Sequence, residues 1–223
     1  MSGPAWAGRH EQAGTSKPAL SQHVVLLHGI WNARAWLTPL AVRLREAGFT
    51  PRILGYASVV GGPEAALPAL IETLRASPQT TIVGHSLGGM MALEALRRAP
   101  DLPVTRVVCL GSPLRGSTTA RHLAALPWAL PVLGRSAEFL QRGFEAWEGV
   151  AEVGMVAGNV PHGLGRLFPD FDLASDGTVA LEETRLPGLR DHCIVASSHS
   201  GLVFSAQAAQ QAAAFLREGR FLH

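Results

Sequence analysis

The sequence predicts a doubly wound α/β domain, with a mainly parallel sheet of six strands and helices on both faces. Two observations carry that expectation. Short apolar runs alternate along the chain with longer segments of helical periodicity. The runs are apolar almost throughout, as in parallel strands buried on both faces, rather than at every second position.

The elements follow in order. His23-Val-Val-Leu-Leu-His28 is the first strand, closed by Gly29. Trp36 to Ala47 places Leu37, Leu40, Ala41 and Leu44 at helical spacing and stops at Gly48, a natural helix terminator. Pro51 to Gly55 is a short second strand, and Pro63 to Ala76 a helix opening on Pro and Glu. Thr80 to Val83 is the third strand, and Leu87 to Ala99 the helix after it. Val104 to Leu110 is the fourth, broken by Gly111-Ser-Pro113. Val150 to Ala157 and His192 to Ala196 are the fifth and sixth. An Ala-rich helix from about Leu202 to Arg217 closes the chain.

Composition bounds the function. The 223 residues are 47% hydrophobic and 16% charged, which fits a single globular domain over 23–223. Residues 1–22 lack an apolar core for a signal peptide and read as a disordered leader. No apolar stretch is long enough to cross a bilayer, so the expected location is the cytoplasm. The formal charge of +2 is scattered, which argues against a nucleic-acid partner or a polybasic membrane patch. The two cysteines, Cys109 and Cys193, fall in strands two places apart. Such strands lie about 9–10 Å from one another, beyond the roughly 7 Å reach of a disulfide. Both read as buried free thiols.

Chemistry concentrates at Gly84-His-Ser86-Leu-Gly88-Gly89, between the third strand and its helix. Gly-x-Ser-x-Gly carries meaning only in that context. The backbone must reverse within a few residues to lift the serine hydroxyl above the sheet edge, and a Cβ at Gly84 or Gly88 would crowd the turn. Gly89 lets the new helix pack closely on the sheet. Ser86 then stands at a helix N-terminus, where free N–H groups and the positive dipole end favour a developing anion. The Leu87 N–H is one candidate oxyanion donor. Parallel sheets gather their functional loops at the carboxyl ends of the strands. That places His28-Gly29-Ile30 beside the elbow, with the Ile30 N–H as a second donor. His28 itself reads as a residue that holds this loop.

A serine nucleophile needs a histidine base and an orienting acid. Of nine histidines, His199 alone follows a strand at the carboxyl edge after the serine, in Ser197-Ser-His-Ser-Gly201. His192 begins the same strand, at the opposite edge. His85 sits inside the elbow, where its geometry towards Ser86 is poor. The acid candidates are Asp170, Asp172, Asp176 and Asp191. Asp176 is favoured because Ser175-Asp-Gly-Thr-Val179 forms a tight turn able to present a carboxylate. Ser112, in Gly-Ser-Pro-Leu-Arg-Gly-Ser117, has no elbow around it and reads as site wall.

These segments together resemble small bacterial lipase/esterase-like α/β-hydrolases. The run ending at His28-Gly-Ile, the Gly-His-Ser86-Leu-Gly-Gly elbow, Gly-Ser-Pro-Leu-Arg-Gly, Ser-Asp176-Gly-Thr-Val and Ser-His199-Ser-Gly-Leu carry the likeness. The resemblance implies a small α/β-hydrolase fold. It also implies Ser86, Asp176 and His199 as catalytic triad, with an oxyanion hole of the Ile30 and Leu87 N–H groups. The expected activity is cleavage of a small-molecule carboxylic ester or thioester without cofactor or metal. An acyltransferase using the same triad and a non-catalytic binding protein on the same fold are the alternatives. The Leu/Trp/Pro-rich insertion at 117–149 reads either as a lid over an apolar acyl site or as an ordinary crossover helix.

Overall fold

All six strands form and run parallel in one sheet, ordered β2-β1-β3-β4-β5-β6. They are β1 (His23–Leu27), β2 (Thr50–Leu54), β3 (Thr80–His85), β4 (Val104–Leu110), β5 (Glu152–Gly158) and β6 (Asp191–Val195). The structure is a computed structural model that describes residues 22–30, 34–59, 61–126, 133–163 and 174–223. The leader expected over 1–22 lies outside them apart from Gln22, as do Asp170, Asp172 and 127–132 of the insertion.

Alternation along each strand divides the core in two. Val25, Leu27, Ile82, Val107 and Met155 face one side, where α2 (Gly62–Arg75) and α3 (Leu87–Arg98) lay down Leu67, Leu74 and Met90. Val24, Leu26, Val83, Val108 and Val156 face the other side. That side is covered by the first helix, α1 (Thr38–Glu46), and the last, here α6 (Ala206–Glu218). Both sides of the sheet are therefore buried, which is why its strands carry no polar alternation. Phe215 of α6 packs against β5 at Gly154, where an added Cβ would lie 2.5 Å from the ring. Cys109 and Cys193 are buried free thiols, on strands two places apart and on opposite faces of the sheet.

Among the described residues, the connection from β4 to β5 carries two short α-helices, α4 (Thr118–Ala124) and α5 (Ala137–Arg142). Elsewhere the boundaries shift for local reasons. The β3 strand runs two residues past Val83, because Gly84 and His85 pair with Cys109 and Leu110. The β5 strand starts at Glu152; Val150 stands almost wholly exposed before it. A 3₁₀ turn (Arg34–Leu37) precedes α1, and Gly48, just after its end, takes φ +86°. The last helix begins at Ala206 rather than Leu202. Residues Ser200–Val203 form a 3₁₀ turn, and the Ser205 hydroxyl caps α6 by accepting from the Ala208 N–H at 3.1 Å.

The strand order reverses between β1 and β3, and a crevice opens at such a switch point beyond the carboxyl ends of the strands. Residues 28–30 and the Ser86 turn leave the sheet there.

Candidate active site

Among the described residues, Ser86 is the one non-glycine with positive φ, at +55°. A side chain in that region is strained unless its surroundings hold it. Here they do. The Ser86 N–H donates to the Leu110 carbonyl at 2.8 Å and extends the β3–β4 ladder into the turn, while Gly89 N–H donates to the Ser86 carbonyl at 3.1 Å. The glycines answer separate steric demands. A Cβ on Gly84 would lie 2.4 Å from the Gly89 nitrogen, across the turn. One on Gly88 would lie 2.3 Å from the Leu27 carbonyl oxygen of β1, and one on Gly89 would lie 2.1 Å from the Ser112 hydroxyl. The elbow is thus wedged between β1 and the loop after β4.

His199 follows β6 and reaches Ser86 across the sheet edge. Its Nε2 lies 3.0 Å from Ser86 Oγ, and its Nδ1 lies 2.7 Å from Asp176 Oδ2. With Nδ1 protonated, that ring donates to the carboxylate and leaves Nε2 free to accept from the serine hydroxyl. The His199 N–H also donates to the Asp176 carbonyl at 2.9 Å, so backbone and side chain of the two residues are tied twice. Asp176 is buried, and its second oxygen, Oδ1, accepts from Thr178 N–H at 3.0 Å and Val179 N–H at 2.8 Å. Gly177 supports that tight turn with φ +92°. The structure therefore brings Ser86, Asp176 and His199 into one hydrogen-bonded line.

Three further residues shape this line. Gly111, at φ +56°, lies beneath the His–Asp pair. A Cβ there would come within 3.0 Å of Asp176 Oδ2 and 3.3 Å of His199 Nδ1. His85 does not approach Ser86 through a hydrogen bond; its Nε2 donates to the His199 carbonyl at 3.0 Å. Burial, with the neighbouring His199 adding to it, pushes the His85 imidazole down to about 3, so it stays neutral. Glu183 is the third, a buried carboxylate that accepts from the Ala180 N–H at 3.0 Å, at the end of the Asp176 turn. Sequence reading assigned none of these roles. The glycine after β4 was visible as a strand breaker, but the pairing of the other two depends on contacts far along the chain.

The remaining predicted residues are placed as follows. Ile30 and Leu87 flank Ser86, Ile30 lining the same cavity and Leu87 opening α3 with no side chain capping that helix end among the described residues. His28 holds its loop: Nδ1 donates to the Gly29 carbonyl at 2.8 Å and Nε2 accepts from Tyr56 N–H at 3.3 Å. Its ring stacks on Tyr56 with centroids 4.3 Å apart, and the Tyr56 hydroxyl donates to its carbonyl. His192, by contrast, bonds Thr184 Oγ1 at the other end of β6, and Asp191 is engaged there by Phe221 N–H and His223.

A cavity of about 220 Å³ opens over Ser86 and His199, with Ile30, Ala120, Leu123, Leu133, Leu140 and Val179 among its walls. Among the described residues no three His, Cys, Asp or Glu side chains cluster in a way that could hold a metal ion. No helix there is long and apolar enough to cross a membrane.

No protein-family profile and no curated protein matches this chain. Solved structures do. The mature lipase BlEst2 of Bacillus licheniformis superposes with a TM-score of 0.71 at 19% identity, over 89% of this chain and 92% of that one. A metagenomic carboxyl esterase, MGS0156, gives 0.66 at 19% identity, over 96% and 82%. The fold is an α/β-hydrolase fold. The type II thioesterase BorB from the borrelidin biosynthetic cluster shares that hydrolase fold at a TM-score of 0.56 and 18% identity, over 90% and 93%.

Proposed function

We propose that this protein is a serine hydrolase that cleaves carboxylic esters or thioesters of apolar acyl groups through an acyl-enzyme. The observation that carries the reading is His199, whose two ring nitrogens face Ser86 Oγ at 3.0 Å and Asp176 Oδ2 at 2.7 Å. In the proposed reaction His199 Nε2 takes the Ser86 proton as Oγ attacks the acyl carbonyl. Asp176 holds the ring in the Nδ1–H tautomer and stabilises the imidazolium that forms. The Leu87 N–H, at the start of α3, and the Ile30 N–H receive the developing oxyanion. His199 then returns its proton to the leaving alcohol or thiol. Water, activated by the same histidine, releases the acyl group and restores Ser86.

The apolar cavity beside Ser86 supports an apolar acyl portion of modest size. Its outer wall comes from α4 and α5 in the connection from β4 to β5, the segment read as lid or crossover. The esterase, lipase and thioesterase neighbours support the reaction class through the shared fold alone.

The test is turnover of a series of p-nitrophenyl esters and acyl thioesters from two to twelve carbons, with the Ser86→Ala variant beside the wild type. A burst of released phenol followed by slower turnover, lost in the variant, is the expected result. Turnover equal in both proteins, or none by the wild type on any member, contradicts the reading.

A further inference from the structure

Glu183 is a buried acid that the proposed reaction does not use, and among the described residues no cation pairs with it. It lies in the 3₁₀ turn Leu181–Thr184, just after the loop that presents Asp176. Its two oxygens go to different parts of the molecule. Oε2 accepts from the Ala180 N–H at 3.0 Å, at the end of the Asp176 loop, where Ala180 also bridges back to Ser175. Oε1 accepts from the Thr118 N–H at 2.5 Å, at the first residue of α4.

Two more bonds cross the same seam. The Arg115 N–H donates to the Glu183 carbonyl at 2.9 Å, and Thr119 Oγ1 donates to the Thr178 carbonyl at 2.6 Å. Both sides of the seam line the cavity over Ser86: Thr119, Ala120 and Leu123 from α4, Thr178 and Val179 from the acid loop. The N-terminus of α4 already has its own cap, the Ser117 hydroxyl accepting from Ala120 N–H at 3.0 Å. The carboxylate of Glu183 is therefore an additional anchor rather than the helix's only one. A desolvated carboxylate is costly unless its lone pairs are met, and here they are met by backbone donors from two different elements, Thr118 of α4 and Ala180 of the Asp176 loop.

We infer that Glu183 is a positioning residue that couples the acyl-pocket wall to the Asp176 loop, so that filling the pocket firms the placement of Asp176 against His199. The inference rests on the serine-hydrolase reading above. In Glu183→Gln the side-chain amide keeps one acceptor and sets an N–H₂ group against a backbone N–H, which opens the seam on one side. An acyl chain long enough to press on α4 then no longer acts on the Asp176 loop.

The experiment measures kcat and KM for butyryl and octanoyl p-nitrophenyl esters, with melting temperatures, in wild type, Glu183→Gln and Thr119→Val. In the wild type Ser86 is first checked for labelling by a fluorophosphonate. The expected result is a kcat loss of about tenfold on the octanoyl ester in Glu183→Gln and clearly less on the butyryl ester, so the chain-length preference flattens. Thr119→Val, which opens the same seam and leaves the carboxylate in place, is expected to flatten it in the same direction. Should Glu183→Gln not fold, Glu183→Asp, whose shorter side chain does not span from the Ala180 N–H to the Thr118 N–H, replaces it in the same comparison. A lower melting temperature with an unchanged octanoyl-to-butyryl ratio makes Glu183 a structural residue only and overturns the inference. A wild type that takes no label at Ser86 overturns the underlying reading instead.

Discussion

The imidazole of His85 donates from Nε2 to the backbone carbonyl of His199, 3.0 Å away, and the two rings stand 4.9 Å apart. The residue before Ser86 thus grips the backbone of the residue that faces Ser86. Replacing His85 by Leu removes the donor and leaves a carbonyl unmet, at a cost of about 1–3 kcal/mol. If that cost falls on His199 placement, kcat drops roughly tenfold to a hundredfold with KM little changed. Gln at the same place can still donate and is expected to recover much of the loss. Steady-state kinetics on one ester with both variants checks this.

Acid stability follows from the same residue. Burial holds His85 at about 3, against 6.5 for a free histidine, and lowers His28 and His192 as well. Below pH 6.5 the unfolded chain takes up protons that these folded side chains refuse, so stability falls as pH drops from 6.5 towards 3. Each such group contributes a slope of up to about 1.4 kcal/mol per pH unit. Glu94 and Asp191 have lowered values from a carboxylate baseline, so their contributions are intact above pH 5 and vanish only lower. Urea midpoints between pH 5 and 6.5 should decline in the wild type and decline less steeply in His85→Gln. Parallel slopes would count against a buried neutral His85.

Gly111 has φ +56° and no room for a side chain beneath the Asp176–His199 pair. Gly111→Ala is expected to combine backbone strain of about 1–2 kcal/mol with displacement of that pair. Activity should fall further than the drop in melting temperature explains. The comparison to make is with Gly48→Ala, whose φ is also positive but whose Cβ would meet open space. Gly48→Ala should lose stability alone.

Asp176 accepts from Thr178, Val179 and His199. Asn in its place keeps its carbonyl for the two N–H groups of the turn and sets its amide N–H₂, a donor, against the imidazole. A fall in kcat on the order of 10⁴ is expected, as for a triad locked in the wrong tautomer. Unchanged turnover in a folded Asp176→Asn would remove the acid from the mechanism.

How much of this was legible in the sequence varies with the range of the contact. The β4 strand spans Val104–Leu110 as read, because a glycine breaks it at one end and its apolar run is unbroken within. Ser86 and His199 each sit in a short, self-contained signal just after a strand's carboxyl end, so topology alone brings them to one edge. Asp176 stands within the connection from β5 to β6 and was legible only through its Asp-Gly-Thr-Val turn. The last helix, α6, starts later than the apolar spacing predicts, for an opposite reason. Leu202 and Val203 are buried and keep the apolar spacing, yet they belong to a 3₁₀ turn that ends before Ser205, the true cap. The grip of His85 on His199 and the seam at Glu183 join residues 114 and 65 positions apart. No local pattern encodes either. The steric role of Gly111 likewise depends on Asp176 and His199 arriving from the far end of the chain.

The central claim is that Ser86 is an activated nucleophile. Intact-mass spectrometry after exposure to a fluorophosphonate, with Ser86→Ala in parallel, tests it most directly. One adduct on the wild type, mapped to Ser86 and absent from the variant, is the expected result. A folded wild type that takes no adduct, or one that persists in Ser86→Ala, contradicts the claim.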